Sequence, residues 1–251
     1  MSFFEHEHVL NIGHRGASAA APPNTLAAFE KAIELGADGI EFDVHLSADG
    51  VPVVIHDFAV DGTTDGSGRV ADLTLAQLRQ LDAGSTFDPA FAGERIPTLE
   101  EVLKCIGGRL LLNIELKTTS LRDNGLEQAV LAQVEQHGLG DRVLLSSFNP
   151  LSLRRAKRIA PHVPVGLLYG PDLPVPLRHA WLAFAIPHEA RHPEHKMVDA
   201  HYVAWAQRRG YRVNVWTVDD PDEMRRLIDL GVDGIITDLP DVLRSVLESQ
   251  Q

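Results

Sequence analysis

Apolar runs rich in β-branched residues alternate along this chain with stretches whose apolar positions recur at helical spacing. The strand-like runs cover residues 9–14, 39–46, 51–56, 110–117, 143–148, 165–169, 183–187, 213–218 and 234–237. Helical patterns over 25–35, 126–137, from Pro150 onward, around 197–209 and over 222–230 separate most of them. Alternation of this length predicts parallel βα units, whose strands are covered on both faces and so read as nearly continuous apolar sequence. Helix ends agree: Asn24-Thr25 and Asp219-Asp220-Pro221 supply N-terminal cap chemistry, and Gly36, Gly138, Gly210 and Gly231 stand where helices should stop.

Nine runs are one more than an eight-stranded barrel needs. Ser47-Ala48-Asp49-Gly50 accounts for the surplus, being far too short for a parallel crossover of about a dozen residues. The run 51–56 must therefore return antiparallel to 39–46. A turn closing between Ser47 and Gly50 would set His56 opposite Glu41. Eight parallel strands remain, and the fold class expected is α/β, a (β/α)8 TIM barrel with catalytic groups at the C-terminal strand ends. Between His56 and the strand at Leu110 the pattern breaks into Asp, Gly, Thr and Ser with short helical pieces at 75–81 and 99–105, and a stretch from about 57 to 97 leads up to the helix start at Pro97-Thr98. That stretch is too long for an ordinary βα loop and is expected to be a small insertion capping the C-terminal face of a single domain, 1–251.

Charged residues close or interrupt the apolar runs: His14-Arg15, Glu41 and Asp43, His56-Asp57, Glu115 and Lys117. Ionised carboxylates inside such runs cost several kcal/mol unless a cation neutralises them. Alternate strand residues share a face, so Glu41 and Asp43 project together, and Glu115 and Lys117 likewise. Brought side by side, Glu41, Asp43 and Glu115 make an all-oxygen site for one hard divalent cation, Mg²⁺ or Ca²⁺. With that ion, Arg15 and Lys117 leave the site one charge positive, which suits a phosphodiester. Arg15 can fork onto two phosphoryl oxygens and Lys117 adds a point charge. His14 and His56 are the expected acid–base pair, since His works on either side of neutrality.

Composition narrows the partners. The formal charge of −12 argues against nucleic acid, whose backbone calls for a basic face. Cys105, the one cysteine, excludes an internal disulfide and a cysteine zinc site, and reads as a small core residue. The first eight residues lack a basic and apolar leader, and no stretch has about 18 uninterrupted apolar residues, so no membrane span and a cytoplasmic location are expected. A homodimer is left open.

The motifs His14-Arg15-Gly16, Asn24-Thr25-Leu26, Glu41-Phe42-Asp43, His56-Asp57, Glu115-Leu116-Lys117, Ser146-Ser147-Phe148, Val215-Trp216-Thr217-Val218 and residues 234–240 occur in order over nearly the whole chain. Together they resemble the bacterial glycerophosphodiester phosphodiesterases. The resemblance implies a barrel of the phospholipase-C-like type that hydrolyses glycerophosphodiesters to sn-glycerol 3-phosphate and an alcohol with a divalent ion. It gives Glu41, Asp43 and Glu115 as metal ligands, His14 and His56 as catalytic, and Arg15 and Lys117 as phosphate-binding. It adds Phe148 and Trp216 as an apolar wall against glycerol. One departure stands out: Pro22-Pro23-Asn24-Thr25 replaces the family's usual Pro-Glu-Asn-Thr, removing a loop carboxylate. Taken singly, the His-Arg, His-Asp and Glu-Asp pairs read equally as surface pairs or structural salt bridges, and Trp216 and Phe148 as plain core; their joint occurrence favours the site. The alternatives are a related phosphodiesterase acting on a lipid head group and a non-catalytic barrel that binds glycerol phosphates. His45 reads as a solvated histidine, and His6, His8, His137, His162, His179, His195 and His201, in loops or on helices, as surface residues; the 188–192 stretch follows a strand near the barrel mouth, where contact with substrate is the less favoured of its readings.

Overall fold

The structure is a computed structural model that describes residues 3–178, 180–181 and 183–250. In chain order the elements are β1 (Leu10–His14), α1 (Leu26–Glu34), β2 (Gly39–Leu46), β3 (Pro52–Val54), α2 (Leu75–Leu78), α3 (Leu99–Ile106), β4 (Leu111–Leu116), α4 (Leu126–Gln136) and β5 (Val143–Ser147). There follow α5 (Pro150–Ile159), β6 (Val165–Tyr169), α6 (Val175–Arg178), β7 (Ala190–Pro193), α7 (Ala200–Arg208), β8 (Arg212–Val215), α8 (Pro221–Leu230), β9 (Gly234–Thr237) and α9 (Pro240–Ser249). Hydrogen-bonded neighbours run β1-β9-β8-β7-β6-β5-β4-β2, and β1 also pairs with β2, which closes eight parallel strands into a barrel. β3 lies antiparallel on the protruding end of β2.

Strand alternation sorts the side chains. Ile40, Phe42 and Val44 point outward under the helices, where Phe42 meets Phe29 of α1 with ring centroids 5.5 Å apart. Truncating Phe42 to Ala would cost about 3–5 kcal/mol. Inside the barrel, Leu10, Ile12, Leu111, Leu144, Ala190 and Ile236 fill one end, with Phe3 packed against them. Asn113, Ser146, His192 and Asn214 are buried polar residues of the strands, and His192 takes a 3.1 Å contact with Asn214. Burial pushes His192 down to about 3, so it is neutral. Glu41, Asp43 and Glu115 lie toward the C-terminal strand ends.

Thr25 caps α1 by accepting from the N–H of Ala28, and Asp220 caps α8 by accepting from those of Asp222 and Glu223. α8 ends on Gly231 at φ +79°, the left-handed cap that glycine favours. Residues 53–96 carry their own apolar cluster, Val53, Ile55, Val60, Val70, Leu78 and Ile96. Among the described residues no helix is long and apolar enough to cross a membrane.

Five expectations are corrected. The hairpin closes between Ser47 and Val51, because the Ser47 hydroxyl donates to Asp49 and accepts from the Val51 N–H, adding one residue to the loop. Pairing therefore sets Val44 against Val54, and His56 lies beyond the paired strand instead of opposite Glu41. The seventh parallel strand is Ala190–Pro193, and Ala183–Ala185 is a 3-10 turn packed outside the barrel. Cys105 is exposed, because the buried stripe of α3 runs through Leu99, Val102, Leu103 and Ile106. His45 is buried, its Nε2 3.0 Å from the carbonyl of His56 and its ring edge-on to Phe58. His195 is held between Glu194 and Glu223, and His179 lies outside the described residues.

Candidate active site

The register of three neighbouring strands builds the acidic cluster. His14 pairs with Glu41 across β1 and β2, and Asp43 pairs with Glu115 across β2 and β4. Glu41, Asp43 and Glu115 are all buried, and a carboxylate oxygen from each lies within 4.8 Å of the other two. Lys117 Nζ stands 3.1 Å from Glu115 and 3.4 Å from Asp43, and Arg15 Nε is 3.5 Å from Asp43. The Arg15 N–H donates to Glu41 at 3.3 Å.

Local backbone geometry makes this possible. Arg15 and Asn24 both sit in the left-handed region, at φ +55° and +62°, where non-glycine residues carry strain. The Asn24 N–H donates to the Arg15 carbonyl, tying the two turns together, and its side-chain amide donates to Asp43 at 2.9 Å. Between them Gly16 passes so close to α1 that a Cβ would come within 2.6 Å of the Ala28 backbone. Pro23, where the resemblance expects Glu, lines a small cavity with Arg15 and His56.

The electrostatics divide the three carboxylates. Burial, then the negative charges of Asp43 and Glu115, raises Glu41 well above the carboxylate range. Burial and Asp43 lift Glu115 to about 7 against the pull of Lys117. Burial would lift Asp43 too, but Lys117, His56, Arg15 and the Asn24 amide outweigh it and hold it low. Lys117 is itself largely shielded from solvent, and Glu115 and Asp43 overcome that desolvation to raise it. Three buried carboxylates of which two resist ionisation are the donor set a hard dication would settle, so these residues fit one.

Each histidine has a carboxylate behind it. His14 Nδ1 is 2.6 Å from Asp238, which also accepts from Ser18 and whose backbone N–H donates to the Asp219 carboxylate. Burial alone would raise Asp238, yet the bonds from His14 and Ser18 keep it low. His56 Nδ1 is 2.7 Å from Asp57. Burial, then the charges of Lys117 and Arg15, lowers His56 against the opposing pull of Asp43. With Nδ1 engaged, Nε2 of each ring is the nitrogen left for chemistry, and both histidines line a cavity of about 150 Å³ with Arg15, Glu41 and Glu115. Phe148 and Trp216 form its apolar side, edge to face at 5.5 Å, with the Trp216 indole N–H bonded to the His192 carbonyl. Lys117 reaches the cluster through Glu115 and Asp43 but does not line this cavity.

All nine sequence-designated residues are thus near this end of the barrel. Residues 188–192 are not at the cavity: His188 stacks on Tyr211, Arg191 turns outward and His192 lies inside the barrel. Asp238 and Asn24 carry parts of the site that the sequence reading left without a role there. Asp238 closes the 234–238 run beside the chemistry, and Asn24 spends its side chain on Asp43 while Thr25 caps the helix.

An eight-stranded parallel barrel with acidic groups and carboxylate-backed histidines at its C-terminal strand ends has the layout of a barrel enzyme, whose chemistry is set by the residues at those ends. Residues 14–242 match the glycerophosphoryl diester phosphodiesterase family, and the chain belongs to that family. It is 46% identical over 235 residues to a glycerophosphodiester phosphodiesterase of Caldanaerobacter subterraneus, covering 93% of this chain and 96% of that one. A glycerophosphodiester phosphodiesterase of Bacillus altitudinis is 37% identical, over 92% of this chain and 94% of its own. The solved structure of an Oleispira antarctica phosphodiesterase, in complex with the product sn-glycerol-3-phosphate, superposes with a TM-score of 0.85 at 33% identity, covering 96% and 97% of the two chains.

Proposed function

We propose that this chain hydrolyses glycerophosphodiesters to sn-glycerol 3-phosphate and an alcohol, using Glu41, Asp43 and Glu115 to hold one Mg²⁺ or Ca²⁺. The observation that carries the reading is the convergence of three buried carboxylates, two cations and two carboxylate-backed histidines on one strand-end cluster. Such an ion supplies Lewis-acid polarisation of a phosphoryl oxygen. Arg15, beside the cavity, binds the phosphate, and Lys117 adds positive charge from behind Glu115. One histidine takes the proton of the attacking water as the new P–O bond forms, and the other gives a proton to the departing alkoxide as the old one breaks; where the neighbouring glycerol hydroxyl attacks instead, the cyclic phosphate it forms is opened by water in a second such step. Asp238 and Asp57 orient those rings and stabilise them when charged. Phe148 and Trp216 pack against the glycerol carbons. Residues 1–251 act as one catalytic domain in the cytoplasm, with 57–97 folding over the mouth beside His56.

The test is release of glycerol 3-phosphate from glycerophosphocholine with Mg²⁺ or Ca²⁺, with EDTA, and with Glu41→Ala and His56→Ala in parallel. Metal-dependent release that falls by about 10³-fold in both folded variants is expected. Folded, metal-loaded protein that releases nothing from this or other glycerophosphodiesters would sink the reading and favour a different phosphodiester or a binding protein.

A further inference from the structure

The barrel's outer layer is thin between β6 and β7. Among the described residues every other crossover carries a helix of eight or more residues, whereas this one has the four of α6 and a 3-10 turn at Ala183–Ala185. Between that short cover and α7 lies a cavity of about 510 Å³, larger than the one holding the carboxylates and on the opposite face of the strands. Leu168 of β6 lines the catalytic cavity, and its neighbour Tyr169 lines this one.

Arg191 is the group this cavity leaves unexplained. It is only 8% exposed, yet its Nε has no hydrogen-bond partner. Its guanidinium lies 5.0 Å from the ring of Tyr211, 5.2 Å from Trp205 and 5.8 Å from Tyr169, whose hydroxyl it also meets. Ring faces offset part of the cost of burying a cation but leave its charge uncompensated. Arg178 and Arg209 line the same cavity, no Asp or Glu does, and among the described residues none of the three arginines has a carboxylate within 4.0 Å. In a chain of net charge −12 this is a cationic pocket with no internal counter-ion. Its rim carries the exposed rings of Trp181, 58% accessible, and Phe184, 90% accessible.

We propose that this cavity binds an anionic amphiphile, with one carboxylate or phosphate head on Arg191 and an apolar chain running past Trp205 to Trp181 and Phe184. A cavity-lining guanidinium that no carboxylate pairs can fork onto either head. The volume is that of a small-molecule site, and the buried cation at its floor is reached by a molecule that enters, not by a flat bilayer surface touching the rim.

Calorimetric titration of the full chain with monomeric decanoate, decyl phosphate and decanol tests this. One of the anions should bind about tenfold or more tighter than decanol, and the tighter anion identifies the head. Arg191→Met should bring that anion to the affinity of decanol while leaving Tm unchanged or higher and glycerophosphocholine hydrolysis intact, because the variant removes an uncompensated buried charge away from the chemistry. Should Arg191→Met fail to fold, Arg209→Gln at the exposed rim should still lower anion affinity several-fold. Equal binding of decanol and both anions, binding of none of the three, or an anion preference that survives both substitutions would overturn the proposal. So would attachment to anionic phospholipid vesicles without binding of the monomeric amphiphiles, which would make the patch a membrane contact.

Discussion

Glu115 and Glu223 are the same side chain at the same end of the barrel, yet the fold holds one near 7 and the other near 2. Glu115 is buried beside Asp43, with Lys117 shared between the two carboxylates. Glu223, in the first turn of α8, takes two 2.7 Å bonds from Arg226 and a third contact at 2.7 Å with His195 Nδ1. Arg226 spends its remaining donors on the carbonyls of Val198 and His195, stitching the loop after β7 to α8. Around Glu223 every charge finds an opposite partner; around Glu115 negative groups outnumber positive ones. The first arrangement stabilises the fold, and the second holds like charges together against their repulsion, as a cation-binding site does.

The contrast should appear most strongly in activity. Glu115→Gln should cost about 10³-fold or more in glycerophosphocholine hydrolysis, since it removes one of three donors for the ion. In EDTA the same variant should melt no lower than the parent, because a buried like-charge contact has gone; a clear fall in Tm would show that Glu115 serves the fold. Next in size is the response to cation. Mg²⁺ or Ca²⁺ at about a hundred times its dissociation constant should stabilise the parent by about 2.7 kcal/mol in a thermal melt, and Glu115→Gln should lose most of that gain. Equal gains in the two proteins would move the ion away from these carboxylates.

Much of this contrast is legible in the sequence, for a physical reason. Carboxylates spaced by two in an apolar β-branched run must share a strand face, so Glu41 and Asp43 announce a cluster, and Ser47–Gly50 is too short for anything but a hairpin. The harder parts depend on distance or on polar residues in unusual places. Asp238 meets His14 across 224 positions of sequence, so no local pattern pairs them. β7 escapes because Arg191 and His192 take places an apolar residue would fill, while the apolar 183–187 run belongs to the outer cover. Asn24 looks like a helix cap, and only the strained turn at φ +62° shows its side chain going to Asp43. The hairpin slips by one because the Ser47 hydroxyl reaches the Val51 N–H, a contact of one side chain that composition does not specify.

The smallest expected effect sharpens the other half of the comparison. Glu223 is depressed chiefly by its bonds from Arg226, which overcome its partial burial, and then by His195. A carboxylate held below its unfolded value of about 4.5 stabilises the native state at pH above that value, and the contribution is lost as pH falls toward about 2. The side chain is 21% exposed, so solvent screening reduces the gain to about 1–2 kcal/mol. Glu223→Gln should therefore lower stability by that amount at pH 7 and converge with the parent only at about pH 2 and below, while activity stays within about twofold. Denaturant melts across pH read this directly. Parallel curves that keep a constant gap at low pH would mean that packing, not charge, accounts for the loss, and that the contrast with Glu115 is one of shape rather than of electrostatics.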